Sequence, residues 1–301
     1  MRIVIGGASG LIGTALTRHL TSQGHEVLRL VRRPARDATE VGWNPDAGTI
    51  DAAALDRLDA AVNLSGSTIA HWPFTSGHRR RVLESRTRST ALLARTLAAL
   101  RPRPSVFVSA SAVGYYGDRG SEILTETSGA GAGFLAEVCR AWESAADPAA
   151  VAGIRVATPR VGVVLSGDGG MLPVLARPFR LGLGGPVGSG HQYISWISID
   201  DLVQVIALLI ERDDRSGPWN AVAPQAVPQA EFARTLGRVL RRPAVLPFPA
   251  FAARFLLGGL ADLLLEGQRV EPARLLSSGF TFRHPTLEAA LQAAIRRSGG
   301  C

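Results

Sequence analysis

Apolar positions in the first half of the chain follow two alternating periods. Short β-branched runs are followed by longer stretches in which apolar residues recur three and four positions apart. Arg2–Ile5 reads as a first strand and Leu11–Gln23 as its helix, with Gly24 at the C-cap and Glu26–Val31 as the second strand. Ala60–Leu64 is a later apolar strand. A long helix is expected over Ser76–Leu100, with Leu83, Thr87, Leu92 and Leu97 among its apolar or near-apolar positions. Pro102 and Pro104 end it, and Ser105–Ser109 forms the next strand. Glu137–Ala146 sits in a further helix and Arg155–Val164 in a strand. Such alternation is the signature of α/β architecture with a parallel sheet. Beyond Leu165 the pattern changes: Gly167, Gly169, Gly170, Gly182, Gly184, Gly185, Gly188 and Gly190 predict a loop-rich stretch. A helix over Ile199–Ile210, a strand over Trp219–Val222 and two or three C-terminal helices follow.

The first strand runs into Gly7-Ala8-Ser9-Gly10-Leu11-Ile12-Gly13 at the head of a helix. Glycines so placed permit a tight turn, let backbone approach a pyrophosphate and let helix pack on strand. The helix terminus then offers free N–H groups to the anion. This loop predicts a doubly wound Rossmann sheet that binds a dinucleotide through Gly7, Ser9, Gly10, Leu11, Ile12 and Gly13. Residues 1–165 are expected to form that domain and 166–301 a smaller substrate-binding region, with some of its segments returning to the sheet. The second strand ends in Arg32-Arg33-Pro34, without the acid that grips an NAD ribose. Paired guanidiniums suit a 2′-phosphate, so the expected cofactor is NADP(H). Leu64, Ser65, Gly66, Ser109, Ala110 and Pro159, on or just after later strands, complete the expected cofactor site.

Composition narrows the function. The chain is 46% hydrophobic and 19% charged, as globular proteins are. Its longest apolar stretch, Phe248 to Leu265, is broken by Arg254 and Asp262, so no membrane span is expected. Met1 leads directly into the first strand, so no separate leader is expected. Cys139 and Cys301 cannot build a disulfide framework and fit a reducing cytoplasm. His19, His25, His71, His78, His191 and His284 show no metal-ligand spacing, so no metal is expected. The net charge of +8 comes from scattered arginines without interleaved aromatics, which gives no reason to expect nucleic acid. A small-molecule substrate, and a monomer or homodimer, are expected. There is no lysine in the chain: all 33 Lys+Arg residues are arginine.

The glycine spacing is similar to that of short-chain dehydrogenase/reductases. Further stretches narrow the likeness: Gly42-Trp43-Asn44-Pro45, Asn63-Leu64-Ser65-Gly66, Glu84-Ser85-Arg86, Ser109 through Gly117, Phe134 through Glu143, Ser195 through Asp201, Gly217 through Pro224 and Gly279-Phe280-Thr281-Phe282. Together they resemble the atypical extended reductases of the "epimerase family" subgroup, across nearly the whole chain. The wider family works through a Tyr-x-x-x-Lys pair. The matching positions here are Leu135 and Cys139, and a chain without lysine cannot form the pair; the subgroup is similar in lacking it. Ser198 and His191 depart from the subgroup's usual histidine and arginine.

What remains for chemistry lies after the Ser105–Ser109 strand. The resemblance implies that Ser111 hydrogen-bonds a substrate carbonyl. Tyr116, and after it Tyr115, are candidate proton donors if a positive charge lies near, supplied by Arg86 or by the nicotinamide ring. Cys139 reads as a small buried hydrophobe and Glu143 as a pairing residue. Arg160 lies on the strand that runs near the nicotinamide in relatives. The Gly182–Gln192 segment is an expected wall over the substrate, with His191 and Tyr193 as contacts. The leading expectation is an NADP(H)-dependent oxidoreductase acting on a small carbonyl, imine or related substrate. A nucleotide-sugar epimerase or dehydratase and a non-catalytic NADPH-binding sensor are the alternatives.

Overall fold

A computed structural model describes residues 1–69, 74–257, 261 and 265–298, which leaves His71 and Cys301 outside the described residues. The chain opens with β1 (Arg2–Gly6), α1 (Leu11–Ser22) and β2 (Glu26–Val31), then β3 (Glu40–Asn44) and β4 (Thr49–Ile50). β5 (Ala60–Asn63), α2 (Ser76–Ala99), β6 (Val106–Ser109) and β7 (Ser111–Ala112) follow, then β8 (Ile123–Leu124), α3 (Phe134–Ser144), α4 (Asp147–Val151) and β9 (Arg155–Val161). The remainder contains β10 (Val163–Leu165), α5 (Met171–Arg180), β11 (Tyr193–Ile194), β12 (Trp196–Ser198), α6 (Ile199–Glu211), β13 (Gly217–Ala221) and β14 (Val227–Pro228). It continues with α7 (Gln229–Leu240), α8 (Ala250–Leu257), β15 (Arg269–Val270), α9 (Ala273–Ser277) and α10 (Leu287–Ser298).

The main sheet runs β13-β9-β6-β5-β1-β2-β3-β4, with only β4 antiparallel and β7 added beside β9. Strand order reverses between β1 and β5, and at such a switch point the carboxyl ends of a doubly wound sheet leave a crevice. Alternation along β1 divides the core: Ile3 and Ile5 pack beneath α1 and α6, while Val4 faces Leu93 and Leu97 of α2. A third cluster joins Trp196, Phe232, Leu236, Leu287 and Leu291 in the C-terminal part.

The expected elements are present with shifted ends, and three of four departures have physical causes. The strand expected over Arg155–Val164 breaks at Gly162, where a Cβ would stand 2.5 Å from the Ser195 carbonyl oxygen. The chain there leaves the main sheet, and β10 pairs with β12 instead. Within the glycine-rich stretch, residues 171–180 form α5, whose Leu172, Ala176 and Phe179 bury one face against the third cluster. Four helices follow Val222 among the described residues, one more than the upper expectation. On α2, Leu83 and Thr87 are only half buried, whereas His78, Arg86, Ser89 and Thr90 are buried because the face they share borders the crevice.

The chain beyond Leu165 returns to the sheet through α6, which packs on α1, and through β13, which pairs with β9. Asp201 ties the segment before α10 to the head of α6. Its buried carboxylate accepts from the Arg283 and His284 amides (2.6 and 3.1 Å) and from the Ser198 hydroxyl (2.6 Å). No helix among the described residues is long and apolar enough to cross a membrane.

Asp201→Ala leaves these buried donors without an acceptor, and each such loss costs on the order of 1–3 kcal/mol. Urea unfolding should show a loss of about 2–3 kcal/mol with little change in slope. A change within 0.5 kcal/mol would refute this clasp on the head of α6.

Candidate functional site

The glycine loop sits where the crevice opens. Gly7 has φ of 78°, and a Cβ on it would lie 2.8 Å from the Leu64 backbone. A Cβ on Gly13 would lie 2.2 Å from the Gly7 carbonyl oxygen, so only glycine lets α1 approach the loop this closely. Gly10 caps α1 without a side-chain bond, and the first turn holds no acid. Among the described residues the Leu11, Ile12 and Gly13 amides have no acceptor. Ser9 and Gly10 are exposed there. Three open N–H groups at a helix head, with Gly10 leaving backbone bare, match an anionic pyrophosphate. Leu64, Ser65 and Gly66 follow β5, and Ser109 and Ala110 end β6. The Ser65 and Ser109 hydroxyls are buried without partners among the described residues, which a ligand in the crevice would supply.

Arg32 and Arg33 leave β2 together but differ in what holds them. Arg33 forks onto buried Glu40 with two 2.7 Å bonds, and Glu40 also receives the Arg36 amide and lies 3.3 Å from Arg29. The Arg33 hydrogen bonds, with the Arg36 amide, bring the Glu40 carboxyl down to about 2. Arg32 is exposed and has no ion-pair partner among the described residues. It is the uncompensated cation of the pair.

Farther along the same edge, register sets the chemistry. Ser111 on β7 pairs with Arg160 on β9, and Arg160 with Asn220 on β13, so the three share one row and one face of the sheet. Helix α3 packs over that face and brings Glu143. Glu143 takes Arg160 bidentately, Nε to Oε1 and Nη2 to Oε2, both at 2.9 Å, and accepts the Ser111 hydroxyl at 2.7 Å. The third arginine nitrogen, Nη1, donates to the Tyr116 hydroxyl at 3.0 Å, and that hydroxyl donates to Asn220 Oδ1 at 2.7 Å. Tyr116 is wholly buried, and desolvation raises its phenol above the usual value despite Arg160. Tyr115 differs. Its ring lies under the Arg160 guanidinium, 3.4 Å from centroid to Cζ; it is half exposed, and its hydroxyl bonds nothing among the described residues.

The cation beside both tyrosines is thus Arg160. Arg86, one of the two sources expected from sequence, instead lies under Gly66, donates to the Ser67 and Val82 carbonyls and faces Trp142. Pro159 is buried in β9 opposite Trp219. Tyr193 is half buried beneath Arg269, while His191 is exposed. The wall segment is anchored through Val187 to Gln229 and through Gly188 to Phe248. Among the described residues no group of three or more His, Cys, Asp or Glu could hold a metal. Asn220 and the bridging role of Glu143 were missed in the sequence. Nothing along the chain links residues 111, 143, 160 and 220; only sheet register does.

Residues 3–221 match the NAD dependent epimerase/dehydratase family. The chain belongs to that family. Residues 248–294 match a domain of unknown function, DUF1731. An epimerase family protein of Mycobacterium bovis is 42% identical over 298 residues, covering 99% of this chain and 98% of its own. The solved structure of the human epimerase family protein SDR39U1 (isoform 2) with NADPH superposes with a TM-score of 0.89 at 36% identity, covering all of both chains. A nucleoside-diphosphate sugar epimerase from Corynebacterium glutamicum gives 0.82 at 40% identity, covering 98% of this chain and 58% of its own. These likenesses agree with the Rossmann architecture described above.

Cys139 lies on α3, one turn before Glu143. It is buried with its thiol 3.7 Å from the Ala112 carbonyl, and burial pushes it up to about 11. At pH 8 the thiolate is therefore scarce as well as shielded. In a Cys301→Ser background, a thiol reagent should titrate no sulfur in the native protein and one after unfolding. Rapid native labelling would contradict this arrangement.

Proposed function

We propose that this protein is an NADP(H)-dependent oxidoreductase of the atypical short-chain type, acting on a small carbonyl, imine or related substrate, with Tyr115 as its proton donor. The observation that carries the reading is the Arg160 guanidinium fixed 3.4 Å over the Tyr115 ring at the carboxyl ends of the strands. A cation held there stabilises the phenolate left when Tyr115 gives up its proton. Arginine holds its charge throughout the working pH range, so it takes the electrostatic part of the absent lysine without joining the proton transfer. Glu143 aims the guanidinium, and Ser111 braces Glu143. Because the Ser111 hydroxyl donates to Glu143, it meets a substrate as an acceptor, which suits an N–H or O–H beside the reacting carbon. Tyr116 is a positioning residue, committed at both ends to Arg160 and Asn220.

The cofactor's residues in this reading are Gly7, Ser9, Gly10, Leu11, Ile12 and Gly13 for the pyrophosphate. Ser65, Gly66, Ser109 and Ala110 lie along the dinucleotide, and Arg32, backed by Arg33, meets the 2′-phosphate. When bound, the nicotinamide supplies the hydride. The human relative solved with NADPH supports this choice. So does a pocket whose free arginine has no acid to neutralise it.

Turnover should appear as NADPH oxidation across a panel of small carbonyls and imines. Tyr115→Phe should lower kcat about 100-fold or more, the usual size of a lost general acid. Tyr116→Phe should cost mainly stability, about 1 kcal/mol for each lost bond. No turnover on any substrate, or full activity in Tyr115→Phe, would sink the reading.

Cofactor choice is tested separately by titrating NADPH and NADH. Arg32→Ala should weaken NADPH by roughly 10- to 100-fold, the value of a charged hydrogen bond, and leave NADH nearly unchanged. Equal wild-type affinity for both cofactors would overturn the assignment.

A further inference from the structure

The structure assigns a second anion site, outside the crevice, to the pocket formed by Arg215, Trp219 and Arg274: it fits a small ligand bearing a phosphate or carboxylate group. The pocket lies where the loop after α6 enters β13, at the amino-terminal edge of the sheet, whereas the glycine loop and Tyr115 lie at the carboxyl edge. It is an open hollow of about 500 Å³ bounded by Asp214, Arg215, Ser216, Trp219, Arg274 and Ser277, with Ser278 beside them. That size is ordinary for small-molecule sites.

Arg215 carries the argument. Its side chain is only 9% exposed, yet Nε and Nη1 are buried with no hydrogen-bond partner. The nearest acid, Asp214, stands 3.7 Å from Nε but is 80% exposed, so water screens what it offers. A guanidinium removed from water without acceptors is unfavourable, and native proteins satisfy such groups or keep them for a ligand. Beside it, the Trp219 indole N–H is also buried and unpartnered. Arg274 faces the same ring, with Cζ 5.7 Å from the centroid against 5.2 Å for Arg215. Its Nη1 is anchored by the Ser216 and Pro218 carbonyls (3.0 and 2.8 Å), which fixes the guanidinium at the mouth. Ser277 and Ser278 donate to the Arg274 and Leu275 carbonyls, so they add no donors to the pocket.

Around the hollow, the donors without a partner among the described residues are thus Arg215 Nε and Nη1 and the Trp219 indole N–H, with the anchored Arg274 guanidinium beside them and Asp214 as the one acid in the lining. An oxyanion meets a forked guanidinium in two parallel bonds, and the indole offers a third. Among the described residues no group supplies that oxyanion. Phosphate and carboxylate share this chemistry.

The full-length protein is titrated with inorganic phosphate and, separately, with acetate, at ionic strength held constant with sodium chloride. Melting temperature and tryptophan emission are followed. Wild type should show a saturable rise in melting temperature with one of the two anions, and a saturable emission change that Trp219→Phe removes. Arg32→Ala, which alters only the cofactor crevice, should respond like wild type. Arg215→Met should lose the response at least tenfold. It should also melt higher than wild type in the absence of either anion, because it deletes an unsatisfied buried cation without breaking a protein hydrogen bond. That second readout separates a lost site from a damaged fold. A tighter response to phosphate assigns a phosphorylated ligand, and one to acetate a carboxylated ligand. No saturable response in wild type, or an undiminished one in Arg215→Met, overturns the proposal.

Discussion

The candidate site depends on one buried ion pair, Arg160 with Glu143. A guanidinium with a 4% exposed side chain persists only if its donors are met, and here all three nitrogens are engaged. Glu143 comes from α3, the tyrosines from the turn after β7, and Asn220 from β13. One cation thereby holds the spacing of three elements that share no local sequence. It also leaves one aromatic ring stacked under it with a free hydroxyl and another locked by its own. Two adjacent tyrosines are given different tasks by a charge that arrives from a strand forty-four residues on.

On the proposed reading, the pair also explains how a chain without lysine can hold a proton-transfer site. A lysine in this place would hold a titratable charge, easily lost on burial; arginine holds a permanent one. Glu143 removes the penalty of an unpaired cation, and the bidentate geometry fixes direction as well as charge. Cys139, one turn before Glu143 on α3, packs against the Ala112 carbonyl. Its displaced titration reflects burial and the neighbouring Glu143 rather than readiness to react.

Around this centre the C-terminal part closes the crevice by leaving the main sheet and coming back to it. Gly162 lets the chain step off the sheet at close quarters with Ser195, and β10 then starts a separate pairing. Asp201 clasps the Arg283–His284 backbone to the head of α6. The wall segment leans on Gln229 and Phe248, and Gly185, where a Cβ would stand 1.9 Å from the Leu246 carbonyl oxygen, lets it come that close.

Local chemistry was enough to read the glycine loop, the strands on either side of it and the arginine pair at the end of β2. Turn glycines, strand periodicity and a missing acid are properties of contiguous residues, and the sequence carries them directly. It also determined that no Tyr-x-x-x-Lys pair exists. The helix α5 and the turn-off at Gly162 were hidden because burial against distant elements, not local propensity, decides them. Which arginine serves the tyrosines was hidden for a similar reason. Arg86 and Arg160 are both on elements that border the crevice, and only the pairing of β7, β9 and β13 puts Ser111, Arg160 and Asn220 in one row. The sequence by itself determined a dinucleotide loop and excluded a lysine-containing dyad; tertiary structure decided which charge stands beside the tyrosines, because a buried cation can stand only where partners from several strands and a helix converge.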